Sequence, residues 1–190
     1  MRIVGGSFKG RTLAGPRSHS IRPTTDRTRE SLFNILAHGY AGAIGNRRVL
    51  DLFAGTGALG LEALSRGADF ALFVEQSAEG RALLRSNIEK LGLQGRSKVF
   101  RRDATALGEA GSLASFDLVF ADPPYGRGLG EKALRAAGEG GWLGEGALVL
   151  LEERVDVDPQ PGDAFQPLET RSFGETAIRF YRFGAGIKHD

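Results

Sequence analysis

The segment DLFAGTGALG, Asp51 to Gly60, constrains the fold more than any other part of the chain. An apolar run, RVLDLF over 48–53, leads into it, and a stretch with helical spacing, ALGLEALS over 58–65, leads out. Gly55, Gly57 and Gly60 stand at the G-x-G-x-x-G spacing. Glycines there let the backbone turn tightly from strand to helix and approach a ligand closely. The chain then keeps alternating. Apolar runs at 70–75, 98–101, 116–121 and 147–152 read as strands, and 79–91 reads as an amphipathic helix with Leu83, Leu84, Ile88 and Leu91 on one face. Strands alternating with helices predict an α/β fold with a parallel sheet covered on both faces. Two last β-like runs, near 170–173 and 177–183, leave little room for a helix between them. They are expected to close as a hairpin that adds an antiparallel strand to the sheet edge.

The first 46 residues differ. The runs 2–4 and 11–13, separated by Gly5, Gly6 and Gly10, read as a small hairpin. RPTTD over 22–26 leads into a helix over 27–37, with Thr25 or Asp26 as its N-cap. The expected organisation is an extension, 1–46, packed on an α/β domain, 47–190. The net charge is +2, yet residues 1–30 hold seven Lys or Arg against two acids, so they carry +5 and the remainder carries −3. A basic arm on a mildly acidic body suits a polyanion, whose phosphates it would neutralise with release of counterions. An ordinary solvated face gives the same count.

Composition narrows the chemistry. The absence of cysteine excludes disulfides, thiolate metal sites and cysteine nucleophiles. His19, His38 and His189 have no ligand spacing, so no metal centre is expected. No apolar run approaches about 18 residues, and the start MRIVGGSFKG lacks an apolar signal core. Neither a membrane span nor a secretory signal is expected, and a cytoplasmic location follows as the expectation.

Acids close successive strands. Glu75 ends the second, twenty positions after Gly55, where a carboxylate can accept hydrogen bonds from both ribose hydroxyls of a nucleoside cofactor. Asp103 ends the third, where it can accept from an adenine amine. Asp51, before the glycines, can take an ammonium group or position the loop. This set favours S-adenosylmethionine, with its amino-acid tail, over NAD, whose pyrophosphate would sit on a helix N-terminus. The plainer roles are a loop cap for Asp51 and a helix cap for Asp103. Phe53, Gln76 and Ala104 complete the expected cofactor contacts beside Gly55 and Gly57.

Asp122-Pro123-Pro124-Tyr125 follows the fourth strand. Two prolines fix the backbone and remove two amide donors. The Asp122 carboxylate and the Pro123 carbonyl are then two rigid acceptors side by side, suited to a planar NH2 group. Such an amine is a poor nucleophile while its lone pair is conjugated with a ring, and accepting both hydrogens biases it towards a pyramidal, nucleophilic geometry. Tyr125 offers a face on which an unstacked base can lie.

Together, DLFAGTGALGLEALSRGA, Glu75 and DPPY resemble S-adenosylmethionine-dependent methyltransferases acting on amino groups. With RIVGGSFKGRTL and RPTTDRTRESLFNIL at the amino terminus, the chain is similar to the bacterial 16S rRNA guanine-N2 methyltransferases of the RsmD-like family, from Arg2 to about Phe183. The resemblance implies a Rossmann-like sheet of seven strands, the last antiparallel. It implies methyl transfer to the N2 amine of one guanine, with 16S rRNA in the small ribosomal subunit or an assembly intermediate as partner. It also implies that Arg22, Thr24, Thr25 and Arg29 lie near the pocket. The basic Arg2, Lys9 and Arg11 join them as expected RNA contacts, and a monomer is expected. Four other readings compete. An adenine-N6 DNA methyltransferase also uses DPPY, but needs a sequence-reading domain for which few residues remain. A protein-glutamine methyltransferase commonly has Asn where Asp122 stands. An NAD-dependent oxidoreductase gives DPPY no role. A non-catalytic rRNA assembly factor that binds the cofactor would not need every acid intact.

Overall fold

The computed structural model describes residues 1–16 and 25–184. Seven strands form one sheet: β1 (Arg48–Leu52), β2 (Phe70–Val74), β3 (Ser97–Phe100), β4 (Phe116–Ala121), β5 (Leu143–Arg154), β6 (Phe165–Phe173) and β7 (Thr176–Phe183), in the order β3-β2-β1-β4-β5-β7-β6. β1 to β5 pair in parallel, and β7 runs antiparallel to both β5 and β6. Six strands therefore share one direction and β7 opposes them, as the sequence predicts.

The position of the antiparallel strand differs from expectation. β7 does not form the edge; it inserts between β5 and β6. The side chains explain this. Ala177, Ile178, Phe180 and Tyr181 of β7 are buried, so the strand needs cover on both faces and a neighbour on both sides. β6 (FQPLETRSF) is mostly exposed and carries Pro167 beside a register shift. A polar strand interrupted by proline suits an edge, because it blunts pairing with other chains.

Among the described residues, four α-helices complete the fold: α1 (Asp26–Gly39), α2 (Ala58–Ser65), α3 (Ala78–Leu91) and α4 (Leu129–Glu139). α2 begins and ends where its sequence pattern does. α1 is capped by Thr25, whose hydroxyl accepts the Thr28 amide, and α3 by Ser77, which accepts the Gly80 amide. One apolar cluster joins Leu32, Phe33 and Leu36 of α1 and Leu61, Leu64, Leu84 and Ile88 of α2 and α3 to Val49, Phe73, Phe120, Leu150 and Phe180 of the sheet. A second cluster, on Leu50, Leu52, Val119, Val149 and Leu151, is closed by Trp142 and by Ala133, Leu134 and Ala137 of α4. Adjacent residues along β1 and β5 fall in opposite clusters, the period-2 alternation of a sheet buried on both faces. α4 is absent from the sequence reading, because glycines punctuate its segment. One of them is a packing requirement: a Cβ on Gly130 would lie 2.4 Å from Leu151 and 3.1 Å from Pro123.

The amino-terminal segment is not the expected two-stranded hairpin. A single antiparallel bridge, Arg2 to Thr12, closes it around a 3-10 turn at Gly6–Phe8. Polar side chains of α2 and α3 hold it through its backbone. Glu62 accepts the Val4 amide at 2.9 Å. The Ser65 hydroxyl donates to the Gly5 carbonyl at 2.6 Å and accepts the Phe8 amide at 3.0 Å. Asn87 accepts the Ala14 amide at 2.7 Å, donates to the Ala14 carbonyl at 3.1 Å, and donates to the Thr56 carbonyl in the glycine loop at 3.0 Å. Glu62 and Asn87 are fully buried, so these bonds replace water they have lost. Ile3 and Leu13 enter the same apolar cluster as the sheet.

Asn87→Ala strips the half-buried amide and carbonyl of Ala14 and the buried Thr56 loop carbonyl of their partners together. The expected loss is about 2 kcal/mol of unfolding free energy, measured by urea titration. Faster proteolysis between residues 1 and 16 should accompany it.

Candidate active site

The register of the parallel strands places the site. Leu52 pairs with both Val74 and Ala121, Val74 with Phe100, and Ala121 with Leu151. The residues that follow, Phe53, Glu75, Arg101 and Asp122, therefore leave the sheet at one level, beside Glu152, where β5 continues. Above this row lies a cleft of about 830 Å3. Phe53, Gly55, Glu75, Gln76, Asp103, Ala104, Asp122, Pro123 and Tyr125 all line it. Nine of the eleven residues expected to bind cofactor or act on substrate are thus brought to one cavity. Ser77, Thr105, Arg102, Arg127 and Leu129 line it too, and no sequence pattern marks them out.

Local geometry prepares several of these groups. Phe53 has a φ of 60°, a left-handed conformation costly for an aromatic residue and found where surrounding structure enforces it. Gly55, at φ 54°, has nothing nearer than 4.0 Å to the place of a Cβ, so the space over the loop is open. Glu75 accepts the Gly55 amide at 2.8 Å through one oxygen and the Ser77 amide at 2.7 Å through the other. Each oxygen keeps a lone pair for a further donor. Asp103 caps a short 3-10 turn, Ala104–Ala106, its Oδ1 accepting from the Thr105 amide and hydroxyl, both at 2.8 Å. The capping role is therefore real, and it also fixes the carboxyl on the cavity wall. Among the described residues, no group of three or more His, Cys, Asp or Glu side chains could hold a metal ion.

Known proteins share this architecture. The model of the family described as "Conserved hypothetical protein 95" matches residues 1–182. "Ribosomal RNA small subunit methyltransferase D" of Escherichia coli K12 is 41% identical over 184 residues, covering 96% of this chain and 89% of that protein. The chain belongs to this RsmD-like methyltransferase family. The solved structure of Escherichia coli yhhF superposes with a TM-score of 0.85 at 36% identity, covering 98% of this chain and 99% of that one. A Thermus thermophilus 16S rRNA N2 guanine methyltransferase, solved with AdoMet and guanosine, shares the fold at TM-score 0.65 and 23% identity, over 88% of this chain and 44% of that one.

Two expected cofactor contacts of this RsmD-like chain are not on the cavity wall. Gly57 precedes α2 as its N-cap at φ 81°, and a Cβ there would lie 2.3 Å from Leu84, so its role is close packing of α2 against α3. Asp51 lies beneath the loop, 2% exposed, and accepts the Gly60 amide at 2.9 Å. Of its two expected roles, positioning the loop is the one with a contact. Burial pushes its carboxyl up to about 8, the Gly60 hydrogen bond opposes the shift, and the nearby Glu75 carboxylate adds to it.

The expected RNA contacts divide. Arg2, Lys9 and Arg11 are exposed, as a phosphate contact requires. Thr25 is spent as the cap of α1. Arg29 is a correction: its side chain is fully buried, pairs with Asp26 at 2.7 Å and donates to the Arg2 carbonyl. It fastens the amino terminus to α1 and offers no surface to RNA. Arg22 and Thr24 fall outside the described residues. The pair Glu152 and Glu153 went unremarked in the sequence, although acids closing the apolar run ALVLL were its available signal. Tyr125 donates to Glu152 at 2.7 Å, and the Gly126 amide donates to Glu153 at 3.0 Å.

Asp51 gives a pH test. A carboxyl whose folded pKa lies above its unfolded value favours folding while protonated. That advantage is complete below about pH 4 and is lost as pH rises to about 8. Asp51→Asn keeps an acceptor for Gly60 without the charge. The ligand-free variant should melt several degrees above wild type at pH 8.5, with the gap shrinking towards pH 4, as read by scanning calorimetry.

Proposed function

We propose that this chain transfers a methyl group from S-adenosylmethionine to the exocyclic N2 amine of a guanine in 16S rRNA. The observation that carries the reading is one cleft with two ends: Glu75 and Asp103 suited to a nucleoside, and the Asp122–Tyr125 turn suited to an amino-bearing base. Membership of a family whose relatives are named as small subunit rRNA methyltransferases supplies the substrate class.

The residues fit the cofactor. The open backbone at Gly55 admits a ligand, Glu75 has acceptor capacity for two ribose hydroxyls, and Asp103 can take the adenine amine. Bound S-adenosylmethionine would supply an electrophilic methyl group on a sulfonium centre. The protein would do the rest by placement. Tyr125 stacks an extruded guanine, and Asp122 and the Pro123 carbonyl accept its two N2 hydrogens, turning the lone pair out of conjugation. Asp122 need not be a strong base, because the amine becomes acidic as it is methylated. The rate gain comes from orientation and from acceptors fixed in advance by the two prolines. Extruding a base costs a few kcal/mol, least in poorly stacked RNA, so the target is expected there.

Arg2, Lys9 and Arg11 would hold flanking phosphates, within the small subunit or an assembly intermediate and therefore in the cytoplasm. We take the monomer as the working unit. Relatives named as small subunit rRNA methyltransferases disfavour the DNA reading.

The deciding experiment offers labelled S-adenosylmethionine with undermethylated small subunits, free 16S rRNA and duplex DNA, followed by digestion to nucleosides. Label in N2-methylguanosine is expected, and label in N6-methyladenine would overturn the assignment. Asp122→Ala should lower turnover at least about a thousandfold, while cofactor affinity measured by calorimetry stays within about threefold. Raising salt from 50 to 200 mM should weaken RNA binding by about tenfold or more, as loss of several phosphate contacts requires.

A further inference from the structure

Two consecutive acids at the end of β5 grip the turn that carries Tyr125. Glu152 and Glu153 are 7% and 4% exposed, in a strand otherwise filled by Ala147 to Leu151. Burying two carboxylates costs free energy that hydrogen bonds must offset. The bonds they make converge on one place. Glu152 Oε1 accepts the Tyr125 hydroxyl at 2.7 Å. Glu153 accepts the Gly126 amide at 3.0 Å and 3.2 Å through its two oxygens, and its own neighbour's amide, Arg154, at 2.8 Å. The parallel pairing of Ala121 with Leu151 makes this possible, since the next residues, Asp122 and Glu152, emerge side by side.

The prolines fix the backbone as far as Pro124, but they do not fix the ring of Tyr125. A half-buried aromatic ring on a surface turn can sample several rotamers. The hydroxyl bond to Glu152 ties it down, and the tie costs nothing in stacking area, since phenylalanine presents the same face. A tyrosine here therefore carries a group that stacking does not require, and a buried acceptor is built to receive it.

We propose that Glu152 is a positioning residue for methyl transfer: through the Tyr125 hydroxyl it holds the ring at the angle at which a stacked base presents its amine to Asp122. This rests on Tyr125 being the base platform, as proposed above. Glu153 secures the backbone of the same turn, so the ring and the chain that bears it are fixed by neighbouring residues of one strand.

The test is a double-mutant cycle on the full chain with undermethylated small subunits, reading kcat, KM for the subunit and cofactor affinity. Tyr125→Phe and Glu152→Ala should each lower kcat by about tenfold, a modest misorientation penalty. The double variant should be no slower than the worse single one, because both remove the same bond. Glu152→Gln keeps an acceptor at that position and should recover to within about threefold of wild type, with cofactor affinity unchanged throughout. Multiplying effects in the double variant, or Tyr125→Phe with wild-type kcat, would overturn the proposal. If Glu152→Ala does not fold, Tyr125→Phe against Glu152→Gln decides the matter alone. Tyr125→Ala separates the two levels of inference: wild-type kcat there would sink the base platform itself, whereas a large loss there with a silent Tyr125→Phe would remove only the role of Glu152.

Discussion

The parallel, unshifted pairing of β1 with β2 and β4 is the constraint on which the rest depends. It puts Leu52, Val74 and Ala121 at one height. Every chemically distinctive group of the cleft then follows within a few residues of that level. A slip of one residue in either pair would move a carboxylate to the wrong face of the sheet and break the cavity. Buried apolar side chains on both faces make such a slip costly, so the hydrophobic core and the site are specified by the same register. Specification of this kind explains how a site of short, separated motifs keeps its geometry without a disulfide to brace it.

Beneath that row, polar residues inside the core act as fasteners. Asp51 holds the start of α2, Asn87 joins the amino-terminal segment to the glycine loop, and Glu62 and Ser65 hold the same segment from α2. These are the positions at which an otherwise apolar pattern is broken. The loop over which a ligand would lie and the segment carrying exposed arginines thus share a support, so a disturbance at Asn87 reaches both.

Much of this was legible in the chain. The parallel α/β sheet implied by the alternation, the limits of α2 and β4, and the grouping of Glu75, Asp103 and Asp122 in one cleft all follow from patterns visible residue by residue. What was hidden depends on tertiary partners. α4 was obscured because Gly130 serves contact with Leu151 rather than helix propensity. The interior place of β7 depends on which of two short β runs is apolar on both faces. Arg29 looked like a surface cation because a lone arginine gives no sign, in one dimension, that Asp26 and a carbonyl await it. Gly57 is assigned to the ligand by spacing and Asp51 either to the ligand or to the loop, yet spacing cannot distinguish a residue that faces a cavity from one that supports the wall behind it.

The amino-terminal segment is gripped by its amides and carbonyls: Val4, Gly5, Phe8, Thr12 and Ala14 each give a main-chain atom to a side chain of α2 or α3. A peptide held in this way is recognised by its shape and barely by its letters. Its outward residues, Lys9 and Arg11 among them, are therefore free to be rewritten without undocking it. The scaffold can acquire a taste for a different RNA surface by editing a few exposed side chains, while the catalytic cleft and its supports stay as they are.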